Sequence, residues 1–229
     1  VGFLVLLLVG LNWPLGAQTR LVFETAENLK PFAPAMATRF RAADLAADIH
    51  FVPAARLAED LREGTIDGAF FVTEQTLTAD TDYLLIPVPL YKNDYVAISQ
   101  AGLPPIRRRE DLAAFRVAYV RGNATLVTLS QSAGEAYPAV DEEQAFRLLG
   151  AARVQVVLAS RTSAQLFGPA AGVPLKVHEP PLLSSPLFLC LKASLTPARD
   201  ALTRVLKASV DDGSWARDVR AVIDGLSKR

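Results

Sequence analysis

Apolar residues recur in two rhythms, short β-prone runs and longer stripes spaced three or four apart, and the two alternate along the chain. The alternation is clearest over 57–73. Leu57 and Leu61 stand four apart among Glu59, Asp60, Arg62 and Glu63, which predicts a helix with those charged residues in solvent. Gly64 suits the left-handed cap that ends such a helix. Ile66 to Val72 is too short and too rich in β-formers for a second helix, so a buried strand is expected. A second copy follows over 142–160: an amphipathic stretch with Phe146 and Leu149, a small-residue turn at Gly150 to Ala152, and a strand from Val154 to Ala159.

The same reading places strands at Arg20 to Thr25, Ile49 to Val52, Arg116 to Val120, Pro138 to Val140 and Leu175 to His178. Tyr95 to Ser99 and Leu187 to Lys192 read as strands crossing between two units. Pro87 and Pro89 make Leu84 to Leu90 an edge or connecting segment. Pro31-Phe32 opens a helix whose Met36, Phe40 and Leu45 face a core. Pro53 begins the helix ending at Gly64, and Asp141 can cap the one containing Phe146. Thr196-Pro197 starts a helix with the stripe Leu202, Val205, Leu206 and Val210. Ser214 to Leu226 is the last helix, burying Trp215 and Val219, and both final helices should pack on the first unit. Strands alternating with helices indicate an α/β architecture, and the repeated unit indicates two similar lobes. Ligands of open α/β sheets sit beyond the carboxyl ends of strands, so Phe71, Val72 and Thr73 should face a crevice.

Composition narrows the function. The 229 residues are 51% hydrophobic, enough for one large domain or two lobes. Twenty-four basic side chains balance twenty-four acidic ones, where a nucleic-acid binder would carry a basic excess; no nucleic-acid partner is expected. The uninterrupted apolar run Val1 to Leu11, then Pro14 and Leu15-Gly16-Ala17, reads as a signal peptide over 1–17, although no basic residue precedes Arg20. Export to the periplasm is therefore expected. The single cysteine, Cys190, lies in an apolar segment and is expected as a buried hydrophobe. His50 and His178 have no partner at metal-ligand spacing, so no metal site is assigned. No G-x-S-x-G motif occurs, and Glu24 and Glu27 are acid/base candidates only if buried together. With no catalytic constellation and no cofactor motif, the chain reads as a binding protein.

The order of segments resembles family 3 of the bacterial periplasmic solute-binding proteins. Strand one with Pro31-Phe32 is similar to the family's opening strand and its Y-P-P-F-type loop. LREGTIDGAFFVTEQT resembles its L-x-x-G-x-D segment ending in threonine, Pro89-Leu90-Tyr91 its P-Y before the crossing, and REDLAAFRVAYVRGN its D-L-x-G-x-x-V-G-V segment. The resemblance covers the chain after residue 19. It implies a two-lobed type II periplasmic-binding-protein fold, each lobe a mixed sheet flanked by helices, joined by two crossing strands. Lobe one would comprise 18–96 and 188–229, lobe two 97–187. A ligand would be trapped between the lobes of a monomer.

Carried over, the first-lobe contacts would be Asn28, Phe32, Phe71, Val72 and Thr73, with Tyr91 at the rim. The second-lobe contacts would be Arg121, Gly122, Asn123 and Thr125 at a helix start, with Ser160. Free backbone N–H groups there and the Arg121 charge would favour an anionic group. The family's amino-acid binders clamp a carboxylate with an arginine after the first-lobe threonine, but no arginine occurs between Arg62 and Arg107, and Ala79 stands near that place. Ser160 replaces their amine-holding acid. A small polar or anionic solute other than an α-amino acid is thus expected, delivered to a membrane transporter or a sensor. The alternatives are a dehydratase-like enzyme on the same scaffold and a degenerate domain that binds protein partners.

Overall fold

The computed structural model describes residues 20–77 and 81–226. The expected signal peptide lies outside the described residues, as does Ala79. The chain begins β1 (Leu21–Ala26), α1 (Ala33–Ala42), β2 (Ala47–Val52), α2 (Ala54–Glu63), β3 (Gly68–Val72) and β4 (Tyr83–Leu85). It continues through β5 (Tyr91–Gln100), β6 (Arg116–Val120), α3 (Ala124–Ser130), β7 (Glu135–Ala139), α4 (Glu142–Gly150), β8 (Val156–Ser160) and α5 (Arg161–Phe167). The last elements are β9 (Leu175–Val177), β10 (Leu183–Lys192), α6 (Thr196–Asp211) and α7 (Ser214–Leu226).

The strands follow the order β2-β1-β3-β10-β5-β8-β6-β7, with β4 also on β10 and β9 also on β5. In the first half β1 pairs in parallel with β2 and β3; in the second, β6 pairs in parallel with β7 and β8. Among the described residues, only the strands β5 and β10 join the halves. Leu183 to Leu187 of β10 pair with β5, and Phe188 to Leu191 pair with β3. Both strands are longer than the expected Tyr95 to Ser99 and Leu187 to Lys192. Pro186 does not stop β10, because there the strand pairs with β5 while its β3 ladder starts only at Phe188, so no second ladder needs the missing N–H.

Each half has its own core. Phe23, Phe40 and Phe70 pack in the first with Leu202 and Leu206 of α6 and Trp215 of α7, so the terminal helices do return to this half. In the second half Tyr95, Val117 and Leu126 fill one sheet face and Ile98, Phe146 and Leu149 the other. Two helix-face expectations fail. Asp60 is buried at 2% exposure, because it turns under α2 toward Glu24 rather than into water. Val210 is exposed, since the buried stripe of α6 ends on Ser209. Leu45 lies beyond α1, which stops at Ala42 before the left-handed Asp44, but it still packs against the first core as expected.

Candidate functional site

The parallel pairs β1/β3 and β6/β8 end at the same gap between the halves, the position where open α/β sheets hold ligands. Asn28 and Leu29 follow β1, Phe71 to Thr73 end and follow β3, Gly122 and Asn123 follow β6, and Ser160 ends β8; all line one cleft. The sequence-based assignments therefore converge for Asn28, Phe71, Val72, Thr73, Gly122, Asn123 and Ser160.

Phe71 is held in an unusual backbone state. Its φ is +61°, a region that bulky residues rarely enter. The register between β10 and β3 pairs Phe188 with Val72 and Leu189 with Phe70, leaving Phe71 as the extra residue of a β-bulge. Its ring packs edge-on against Phe32 at 5.2 Å and Phe70 at 5.6 Å, with Trp215 at 6.2 Å. Aromatic packing on three sides is what offsets the strained dihedral.

Gly122 brings the second half against the first. Its φ is +83°, and a Cβ there would sit 2.3 Å from the backbone N and Cα of Ala55 at the start of α2. Nearby, Asn28 Nδ2 donates to Ser163 Oγ across the gap at 2.9 Å. The remaining cavity is about 70 Å³, space for a few waters or a few heavy atoms.

Four expected contacts lie elsewhere. Phe32 is buried in the first core behind Phe71. Tyr91 lines a separate groove with Trp215 and Pro186, because it precedes the part of β5 that faces the cleft. Thr125 is 2% exposed on the inner face of α3, away from the cleft, and its Oγ1 has no hydrogen-bond partner among the described residues. Arg121 is exposed and outside the lining: its N–H is tied to Ala139 O, and the chain turns toward the first half only at Gly122. The charge expected to attract an anion is thus absent from the cleft wall. No Lys or Arg lines it among the described residues.

Most expected polar contacts already have protein partners. Asn123 Oδ1 accepts from Leu126 N at 3.1 Å as the cap of α3, and Ser160 Oγ accepts from Ser163 N at 2.9 Å as the cap of α5. Thr73 and Thr76 bond each other in a short 3₁₀ turn. The groups left open were not selected from the sequence. Asn93 and Tyr95, two apart on one face of β5, line the cleft at 8% and 2% exposure, and neither side chain makes a hydrogen bond among the described residues. Glu142, first residue of α4, is the one charged side chain among the described lining residues. Its Oε1 accepts from Ser163 Oγ at 3.5 Å. Burial, then the nearby carboxylates of Asp141 and Glu27, push its pKa above the ordinary carboxylate value. Period-two spacing on a crossing strand was the available signal for Asn93 and Tyr95.

The acid/base candidate Glu24 is buried but lies outside the cleft lining, beside Asp60 under α2. His178 is also buried: Ile106 N–H donates to Nδ1 at 3.1 Å, so Nε2 carries the proton toward Ser99 Oγ at 2.8 Å. His50 is exposed on β2.

No protein-family model matches the chain, and no curated protein matches it in sequence. Solved structures do match its fold. The GluR0 ligand-binding core in complex with L-glutamate superposes with a TM-score of 0.77 at 15% identity, covering 91% of this chain and 100% of that one. A histidine kinase sensor domain with similarity to periplasmic binding proteins gives 0.77 at 10% identity, covering 89% and 96%. The arginine-, lysine-, histidine-binding protein ArtJ from Geobacillus stearothermophilus gives 0.72 at 14% identity, covering 88% and 94%. The chain has the two-lobed, type II periplasmic-binding-protein fold, with a mixed sheet in each lobe and two crossing strands.

Proposed function

We propose that this chain is an exported solute-binding domain that closes two lobes, divided near 96/97 and 187/188, over a small polar molecule. The product is a liganded, closed surface that a membrane transporter or a sensor reads. One observation carries this: polar and aromatic groups from four strand ends, two in each half, meet at one gap bridged by Asn28 and Ser163. The fold supports it, since its solved neighbours include a ligand-binding core in complex with L-glutamate and a sensor domain. Ligand pockets usually enclose about 300–1,000 Å³, so the cavity of about 70 Å³ describes a shut state. Entry of most solutes requires the lobes to part about β5 and β10.

Small-angle scattering and native mass spectrometry test this together. The purified monomer should release a small molecule on partial denaturation and expand on its removal. A chain that carries nothing, stays compact and is stabilised by no polar metabolite would refute it. That outcome would favour a second reading, a partner-binding domain whose lobes are permanently closed. The direct Gly122–Ala55 approach is the observation that speaks for this alternative.

A further inference from the structure

The charges and free hydrogen-bonding groups of the cleft define what it can hold. Glu142 is the one charged side chain among the described lining residues, and no cation pairs with it there. Asp141 and Glu27 add negative potential nearby. A carboxylate or phosphate placed here would meet repulsion, and Arg121 is not at the wall to offset it. Asn93 is the independent sign of a ligand: 8% exposed, lining the gap, its carboxamide without a hydrogen-bond partner among the described residues. Tyr95 follows it on the same strand face, equally unpaired.

We propose that the cleft binds a small organic cation, a short primary ammonium compound lacking a carboxylate, held by Glu142, Asn93 and Tyr95. The inference rests on the solute-binding reading and names the ligand class for the same site. An –NH₃⁺ group carries three donors and no acceptor. The Glu142 carboxylate, the Asn93 amide oxygen and the Tyr95 hydroxyl oxygen are three acceptors to match it. The apolar part of the ligand would rest on Phe71 and Leu187, which also line the cavity. A volume of about 70 Å³ accepts only a short chain without opening.

Three probes of similar size and different charge provide the test: ethylammonium, acetamide and acetate, titrated calorimetrically into the full chain. Ethylammonium should bind and raise the melting temperature in proportion to occupancy, while acetate should do neither. Glu142→Gln removes a charge-assisted bond and should weaken ethylammonium binding by about tenfold or more, with the circular dichroism of the unliganded protein retained. Asn93→Ala should weaken it less, and Arg121→Ala should leave it unaltered. Preference for acetate, or equal affinity in Glu142→Gln and the parent, would overturn the cation assignment while leaving solute binding intact. Failure of ethylammonium alone, with acetamide or a larger neutral metabolite binding, would overturn it too. Silence from every class would remove the solute-binding reading itself.

Discussion

Replacing Glu24 with glutamine should make the protein more stable at pH 8 and flatten its response to pH. Glu24 is 6% exposed on β1, its Oε2 has no hydrogen-bond partner among the described residues, and burial first, then the adjacent Asp60, pushes its pKa up to about 7. Arg56 offers partial relief, but its own bonds go to Asp60 at 2.7 Å, which Thr65 also contacts. In the unfolded chain the same carboxyl titrates near 4.5. A folded value above the unfolded one means that the native state holds the proton more tightly. The stabilisation is therefore complete below pH 4.5 and is lost as pH rises to about 7. At about 1.36 kcal/mol per pH unit, the difference between pH 5 and pH 8 amounts to about 2–3 kcal/mol from this one side chain. Urea unfolding of the parent and Glu24→Gln at both pH values measures it, because glutamine copies the neutral acid and cannot ionise. The parent should lose about 2–3 kcal/mol more than the variant between pH 5 and pH 8. Equal losses in the two proteins would refute the reasoning and mean that water or local rearrangement solvates Glu24.

Gly122→Ala places a methyl group 2.3 Å from the Ala55 backbone and should hold the lobes apart. Scattering should show a larger radius of gyration with the circular dichroism retained; an unchanged radius would count against Gly122 as the point of closure. At Phe71, glycine should be less damaging than alanine by about 1 kcal/mol, since only glycine accepts φ of +61° without strain. Both should lose stability in denaturant titrations through the missing ring, and the opposite order would deny the backbone strain. Cys190 is fully buried, with its thiol pushed up to about 12 by desolvation. An aromatic disulfide reagent should leave it unmodified until denaturant is added, and fast native labelling would contradict that environment.

Element types and their order could be read because each depends on local periodicity. Leu57 and Leu61 are both buried on α2, Gly64 does take φ of +69°, and the run 68–72 is fully buried as β3. What the pattern could not show were features set by distant partners. The burial of Asp60 depends on Glu24, thirty-six positions earlier in the numbering, and on how α2 lies over β1. The strain at Phe71 arises from a register slip opposite Phe188, a property of β10 that no window around Phe71 contains. The extra length of the crossing strands likewise depends on their mutual pairing across Pro186.

The site divides along the same physical line. Polar residues at strand ends were the obvious ligand contacts, yet a strand end in this fold is also a helix start. A helix start has unpaired N–H groups that Asn and Ser satisfy well. Asn123 and Ser160 are accordingly used as caps, and Asn28 is used to bridge the lobes. Asn93 and Tyr95 sit within a crossing strand, where the backbone groups pair with other strands and ask nothing of the side chains. Glu142 follows a cap, Asp141, that already meets the first-turn demand of α4 through Gln144 N. Asn93 and Tyr95 are free among the described residues because their local backbone is satisfied without them, and Glu142 keeps only the long bond from Ser163 Oγ. On the solute-binding reading proposed above, that freedom rather than position at a strand terminus picks out the ligand contacts, and it selects acceptors where the terminus rule selected an arginine.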